Sequence, residues 1–249
     1  MSNAYLDVSP ASAGIYMTNA FDMPYLNGDE DSKASGMFLA IARLNHSCVP
    51  NAQQTYIPPN LEQLDNPSNV GHEVLYATRD VAVGEELCDC YIELRQTTEQ
   101  RRKELMQHYR FICTCPACGA ANDEDMTEEA LKLRKEDDLR RKRARKLEED
   151  LFEFVSMGEN AMAIDLGGEL VKLLEHNQSR GWGERYIAEA CVNTATLLLE
   201  EGRRSQAVAL LHKAHSWNVL LQGADSVDSL STATKLAEVD KMFAKKAKP

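Results

Sequence analysis

The pattern of apolar and polar positions divides the chain into two textures. Over residues 1–119 it is mixed, with short alternating runs interrupted by Pro and Gly. Glu73-Val74-Leu75-Tyr76-Ala77-Thr78 alternates as a strand does, Asp80 to Glu85 carries a turn around Gly84, and residues 87–92 can form the next strand. Residues 65–71, rich in Asn, Pro, Ser and Gly, read as a surface excursion between two strands. From Thr127 onward there is no proline until Pro249, and apolar residues recur at steps of three and four. This periodicity predicts five helices, beginning near Thr127, Glu159, Glu184, Arg203 and Ser226. The clearest pair covers residues 186–199 and 205–221, hinged at Gly202, with Ala207, Ala214 and Trp217 on the second helix. Small residues at such positions let two helices approach closely, as in a tetratricopeptide unit, although a plain helical hairpin gives the same pattern. The expected fold class is therefore α+β: a strand-rich part over residues 1–119 and an α-helical region over residues 120–249.

A chain of 249 residues with 43% hydrophobic content can bury a substantial core. No apolar run approaches the ~20 residues of a membrane helix, and residues 1–14 lack the pattern of a secretion signal, so no membrane association is expected. The formal charge of −11 disfavours a nucleic-acid partner, which calls for a basic surface, and accommodates a protein partner. One basic run, with Arg140, Arg141, Lys142, Arg143, Arg145 and Lys146, could bind phosphate or address the chain to the nucleus. Its acidic neighbours, Glu136, Asp137, Asp138, Glu148 and Glu149, favour a solvated helix face with intrahelical ion pairs. Trp182 and Trp217 are read as packing residues.

The cysteines change this picture. There are seven, and Cys113, Cys115 and Cys118 lie within six residues, a spacing that suits metal ligation in a reducing compartment better than disulfides. Three thiolates on a tight loop suit structural zinc but leave one position open, for which Cys48 is the natural candidate. A reduced thiol cluster without metal is the alternative. Cys88 and Cys90 are read as ordinary buried thiols rather than a second metal site, and Cys191 as a small core residue of a helix.

Three segments occur in a telling order: Arg43-Leu44-Asn45-His46-Ser47-Cys48-Val49-Pro50-Asn51-Ala52, then Gly84-Glu85-Glu86-Leu87 with Tyr91, then Phe111-Ile112-Cys113-Thr114-Cys115-Pro116-Ala117-Cys118. Together they resemble the SET domain and its cysteine-rich post-SET segment, as found in the SET and MYND-type lysine methyltransferases, whose chains also end in a tetratricopeptide-like region. The similarity extends upstream to residues 16–21. The resemblance implies S-adenosylmethionine as cofactor, held by Asn45, His46 and Phe111, the last through stacking on adenine. It implies Tyr91 as the active-site tyrosine between methyl donor and lysine, Tyr56 and Tyr109 as further tyrosines of the lysine channel, and a structural zinc on Cys48, Cys113, Cys115 and Cys118. Each tyrosine could instead be a core aromatic with its hydroxyl at the surface.

The implied function is methylation of a lysine on a protein substrate, histone or non-histone, in the cytoplasm or nucleus. The chain departs from the family in two respects: no Gly-x-Gly turn precedes Asn45, since Gly14, Gly28 and Gly36 are isolated, and a MYND finger is absent. The chain is therefore expected to begin inside a SET fold. That keeps a second expectation open, a catalytically inactive, zinc-stabilised helical scaffold for protein–protein interaction.

Overall fold

The structure is a computed structural model that describes residues 10–24, 33–59, 71–176 and 181–246. Most of the excursion expected over residues 65–71 lies outside the described residues. The chain forms two compact units, one of residues 1–44 and 56–74, the other of residues 45–55 and 75–249.

In the first unit, helix α1 (Pro10–Asn19) leads into strand β1 (Ala20–Pro24), which pairs antiparallel with β2 (Lys33–Met37), Phe21 opposite Gly36. The Tyr16 hydroxyl donates to the Ser35 carbonyl at 2.8 Å. Phe38 anchors the aromatic packing, 6.3 Å from Phe21 and 6.2 Å from Tyr56.

The second unit holds β3 (Asn45–His46), which pairs in parallel with β6 (Cys88–Asp89), His46 opposite Asp89. Strand β4 (Ala52–Ile57) pairs with β5 (His72–Ala77), and the division between units crosses both strands. The predicted strand over residues 87–92 is thus confined to Cys88 and Asp89, and beyond it the Cys90 sulfur accepts from Arg185. Gly84, at φ 85°, makes the expected turn before β6.

Helix α2 (Thr98–Tyr109) stands where only strands and loops were expected. Its start is a capping box: the Thr97 hydroxyl accepts from the Gln100 backbone N–H, and the Gln100 side chain accepts from the Thr97 backbone N–H. Its low apolar content hides it from a periodicity search, since Arg101 and Leu105 supply most of its buried face. The helix ends at Arg110, whose left-handed backbone (φ 64°) turns the chain into the segment that begins with Phe111.

All five predicted helices are present: α3 (Glu128–Ser156), α4 (Asn160–His176), α5 (Glu184–Glu200), α6 (Arg204–Gln222) and α7 (Val227–Lys246). Each packs on the next, as short connections between amphipathic helices require. Gly202 turns the α5–α6 connection at φ 69°. One core joins Cys48, Ile92, Leu94 and Leu105 to Leu147, Leu170, Leu174, Trp182, Ile187 and Cys191, so the cysteine-bearing segments rest on the helical stack. Trp182, fully buried, and Trp217, partly buried, pack as expected.

The basic run of α3 corrects its simple reading as a solvated face. Arg140, Arg145 and Lys146 do form ion pairs one turn apart, with Glu136, Glu149 and Asp150. Arg141 instead points inward with no exposed surface: it binds Asp137 at 2.7 Å, donates to the carbonyls of Leu94 and Cys48, and lies over the Trp182 ring.

Candidate zinc cluster and adjoining tyrosine site

The structure brings Cys48, Cys113, Cys115 and Cys118 together, with all four sulfurs within 4.8 Å of one another. Cys48 Sγ lies 4.0 Å from Cys113 Sγ and 3.5 Å from Cys118 Sγ. Tetrahedral zinc with Zn–S bonds of ~2.3 Å sets its sulfurs ~3.8 Å apart, so the cluster has the dimensions of a closed structural zinc site. Cys48 arrives from the loop after β3, the other three from the loop after α2; Cys118 and Gly119 close a tight turn by donating their backbone N–H groups to the Cys115 carbonyl.

Four thiolates around a divalent cation leave two net negative charges in a buried place, which needs compensation. Arg101, fully buried on α2, provides it: Nε donates to Cys48 Sγ at 3.2 Å and Nη2 to Cys118 Sγ at 3.6 Å, while the rest of the guanidinium is held by the Gln96 carbonyl and the Thr98 hydroxyl. Burial works against this charge, and Cys48, Cys118 and Asp138 together offset it, leaving the Arg101 pKa raised. Arg102, next along the helix, ties down the loop by donating to the carbonyls of Cys113, Cys118, Gly119 and Ala121. Neither arginine was singled out in the sequence. Their only local trace is the Arg-Arg pair four residues after Thr97, in a helix that periodicity alone does not reveal.

His46 links this cluster to the tyrosines. Its Nδ1 accepts from the Tyr91 backbone N–H at 3.0 Å, and its Nε2 lies 3.3 Å from Cys48 Sγ. An Nδ1 that accepts fixes the neutral tautomer with the proton on Nε2, so the ring donates to sulfur. Burial lowers its pKa to about 4, which keeps it neutral at physiological pH. The ring lies 5.4 Å from that of Tyr91 and 6.2 Å from that of Phe111, and Tyr91 lies 4.8 Å from Tyr109. Burial raises the pKa of both tyrosines, so each remains an O–H able to donate and accept.

Asn45 is exposed, and its amide is pinned by donation to Glu86 at 2.6 Å. Asn51, buried, clips the two strand ends together: its amide donates to Glu85 and to the Glu86 carbonyl and accepts from the Cys88 N–H. Cys90 meets Arg185, whose guanidinium also binds Asp89 at 2.6 Å, and Cys88 is half-buried, so neither belongs to the metal cluster. Asn45, His46, Tyr91, Tyr109 and Phe111 therefore share the second unit with the cysteines. Tyr56 belongs to the first unit, where it packs on Phe38 and its hydroxyl fills the space a Cβ at Gly71 would need.

Beside the cysteine loop is an open cavity of ≈ 730 Å³ lined by Val49, Pro116, Ala117, Leu133, Gly181 and Glu184. Burial raises the Glu184 carboxyl to about 6 from an ordinary 4.5. A carboxyl whose folded pKa exceeds its unfolded one destabilises the fold where it is ionised; the penalty is full above pH 6 and is relieved as pH falls toward 4.5. Glu184→Gln is accordingly expected to stabilise the protein by about 1 kcal/mol at pH 7.5, after the lost helix N-terminal attraction is allowed for, and by nothing at pH 4.5. Thermal melts of both proteins at the two pH values check this.

Comparison with known proteins agrees with the geometry. Residues 5–92 match the SET domain family. Over 140 residues the chain is 34% identical to "Histone-lysine N-methyltransferase set5" of Schizosaccharomyces pombe, covering 56% of this chain and 36% of that protein. It is 37% identical over 101 residues to human "Histone-lysine N-methyltransferase SMYD3", and 28% identical over 146 residues to "Protein-lysine N-trimethyltransferase SMYD5" of Gallus gallus; the shares are 40% and 49% of this chain, 21% and 32% of the relatives. The chain thus spans about a third or less of the length of these proteins. Among the described residues no helix is long and apolar enough to cross a membrane. Residues 5–92 are thus similar to a SET domain, in a chain similar over part of its length to proteins named as histone- and protein-lysine methyltransferases.

Proposed function

We propose that the chain is the cofactor- and lysine-binding part of an S-adenosylmethionine-dependent protein-lysine methyltransferase, with residues 1–119 as its SET and post-SET portion and residues 120–249 as its helical region. The observation that carries this reading is the packing of Tyr91 and Phe111 against the buried His46 imidazole, with Tyr109 against Tyr91 and Asn45 next to His46 on β3, beside a four-cysteine cluster.

The side chains suit the cofactor. Phe111 is half-buried, which leaves ring surface for stacking on a purine, and Asn45 is an exposed amide already oriented by Glu86. The His46 ring is engaged at both nitrogens, so this residue would serve the cofactor through its main chain. When bound, S-adenosylmethionine supplies an electrophilic methyl group on a sulfonium. Transfer to a neutral amine is an in-line displacement in which alignment dominates. Tyr91, with its hydroxyl protonated, would orient the amine by hydrogen bonding, and the Tyr91–Tyr109 pair would flank the aliphatic lysine stem. Zinc on the four cysteines would be structural, fixing the loop that starts at Phe111.

The substrate would be a lysine-bearing protein, histone or otherwise, in nucleus or cytoplasm, and the acidic charge of the chain would favour encounter with basic segments. Titration calorimetry of S-adenosylmethionine into zinc-loaded protein tests the proposal. Saturable binding, weakened about tenfold or more in Asn45→Ala, is the expected result; tenfold corresponds to about 1.4 kcal/mol, the scale of one well-made hydrogen bond. A folded protein that binds no cofactor would overturn the enzymatic reading and leave the scaffold.

A further inference from the structure

We infer that His46 is a positioning residue that couples occupancy of the zinc cluster to the placement of Tyr91. The inference builds on the proposed tyrosine site and deepens it. The atoms form an unbroken line: sulfur of Cys48, Nε2–H of His46, Nδ1 of His46, backbone N–H of Tyr91. The imidazole is buried and wedged between the rings of Tyr91 and Phe111, so it has little freedom to turn while both hydrogen bonds stand. On β3 and β6, His46 faces Asp89, two residues before Tyr91, so the backbone register holds the imidazole level with the tyrosine.

Each end of the line needs the other. A thiolate bound to metal is a strong acceptor, which selects the tautomer protonated at Nε2; that tautomer presents the bare Nδ1 the Tyr91 amide requires. A thiol at Cys48 is a weak acceptor and a weak donor, so metal loss weakens one of the two hydrogen bonds that hold the ring. The ring is then kept in place by the Tyr91 amide alone, and the start of the segment carrying the tyrosine is held less firmly. In this arrangement zinc would act on the tyrosine site at a distance, through one side chain and without touching substrate or cofactor. The Tyr109 hydroxyl donates to the carbonyl of Tyr91 at 3.5 Å, so movement there would reach the second tyrosine.

Two amide substitutions divide the line. Asparagine places its side-chain oxygen where Nδ1 lies and has nothing at Nε2; glutamine places its amide nitrogen where Nε2 lies and has no acceptor at Nδ1. Backbone amide exchange of Tyr91, measured on the full chain with zinc bound and after chelation, reads the coupling without any methyl transfer. The expected result is a tenfold or greater loss of Tyr91 protection on chelation in the wild type, and no change on chelation in His46→Asn. Equal loss in both proteins, or none in the wild type, would overturn the inference. Should chelation unfold the cluster altogether, amides in α5 and α6 report it, and cadmium-113 spectra of the metal-substituted protein then decide. His46→Gln is expected to leave the cadmium resonance near its wild-type position while freeing the Tyr91 amide, and His46→Asn the reverse. If both variants shift both signals alike, His46 is a packing residue only. These readouts need neither cofactor nor substrate, so failure of the methyltransferase proposal leaves them interpretable, and their failure leaves that proposal standing.

Discussion

Replacing Cys48 by serine is expected to abolish stoichiometric zinc binding and to lower the melting temperature by roughly 10 °C. Cys48 has no exposed surface, and it brings the β3 loop to a cluster whose other sulfurs come from beyond α2. A serine hydroxyl does not replace a thiolate on zinc, and the binding free energy of a structural metal is folding free energy for the segments it joins. The loss is compounded because the buried Arg101 guanidinium then loses the sulfur that accepts from its Nε. About 3–4 kcal/mol is a conservative estimate, and for a domain of this length it corresponds to the stated shift. Metal analysis by chelator dye, together with a thermal melt, checks both parts. A variant that still holds zinc at full occupancy and melts with the wild type would remove Cys48 from the ligand set.

Substituting Arg141 by methionine is the second large effect, expected to cost about 3–5 kcal/mol in spite of a similar side-chain volume. The guanidinium neutralises Asp137, itself buried, and satisfies the carbonyls of Leu94 and Cys48, so its removal leaves a buried carboxylate and two buried acceptors short of partners. Asp137 also accepts from Trp182 Nε1 at 3.2 Å, and one broken pair therefore loosens α3, the Cys48 loop and the tryptophan together. Adding Asp137→Asn to the same chain removes the stranded charge while keeping an acceptor for Trp182. The double variant is expected to recover about 1–3 kcal/mol of the loss, the coupling of residues in one network. Urea unfolding of the four proteins measures it; strict additivity would show that the two groups do not depend on each other.

Each of the two variants strikes a residue whose weight was read differently from the sequence. Cys48 was legible because a soft-ligand motif with three members demands a fourth. Arg141 was not, because in a run of six basic residues nothing local marks the one that turns inward. The helices of residues 128–246 were legible from their periodicity, with starts within one residue of those expected, while α2 was missed because its buried face rests on Arg101 and Leu105, and arginine does not count as apolar in such a search. The strand expected over residues 87–92 came out shorter, since Cys90 leaves the ladder to meet Arg185.

What the sequence by itself determined are the features whose physics is local or combinatorial. The five carboxy-terminal helices follow from the recurrence of apolar residues every three to four positions, the turns at Gly84 and Gly202 from a backbone only glycine adopts freely, and the four-cysteine cluster from the need of three close thiols for a fourth. Tertiary structure alone decided which polar groups go inside. Arg101 reaches a sulfur 53 residues away, Arg141 a carbonyl 93 residues away, and His46 an amide 45 residues away. Such bonds are worth making only where burial has removed the competing water, and burial belongs to the folded whole, so pairings across these distances leave no periodic trace along the chain.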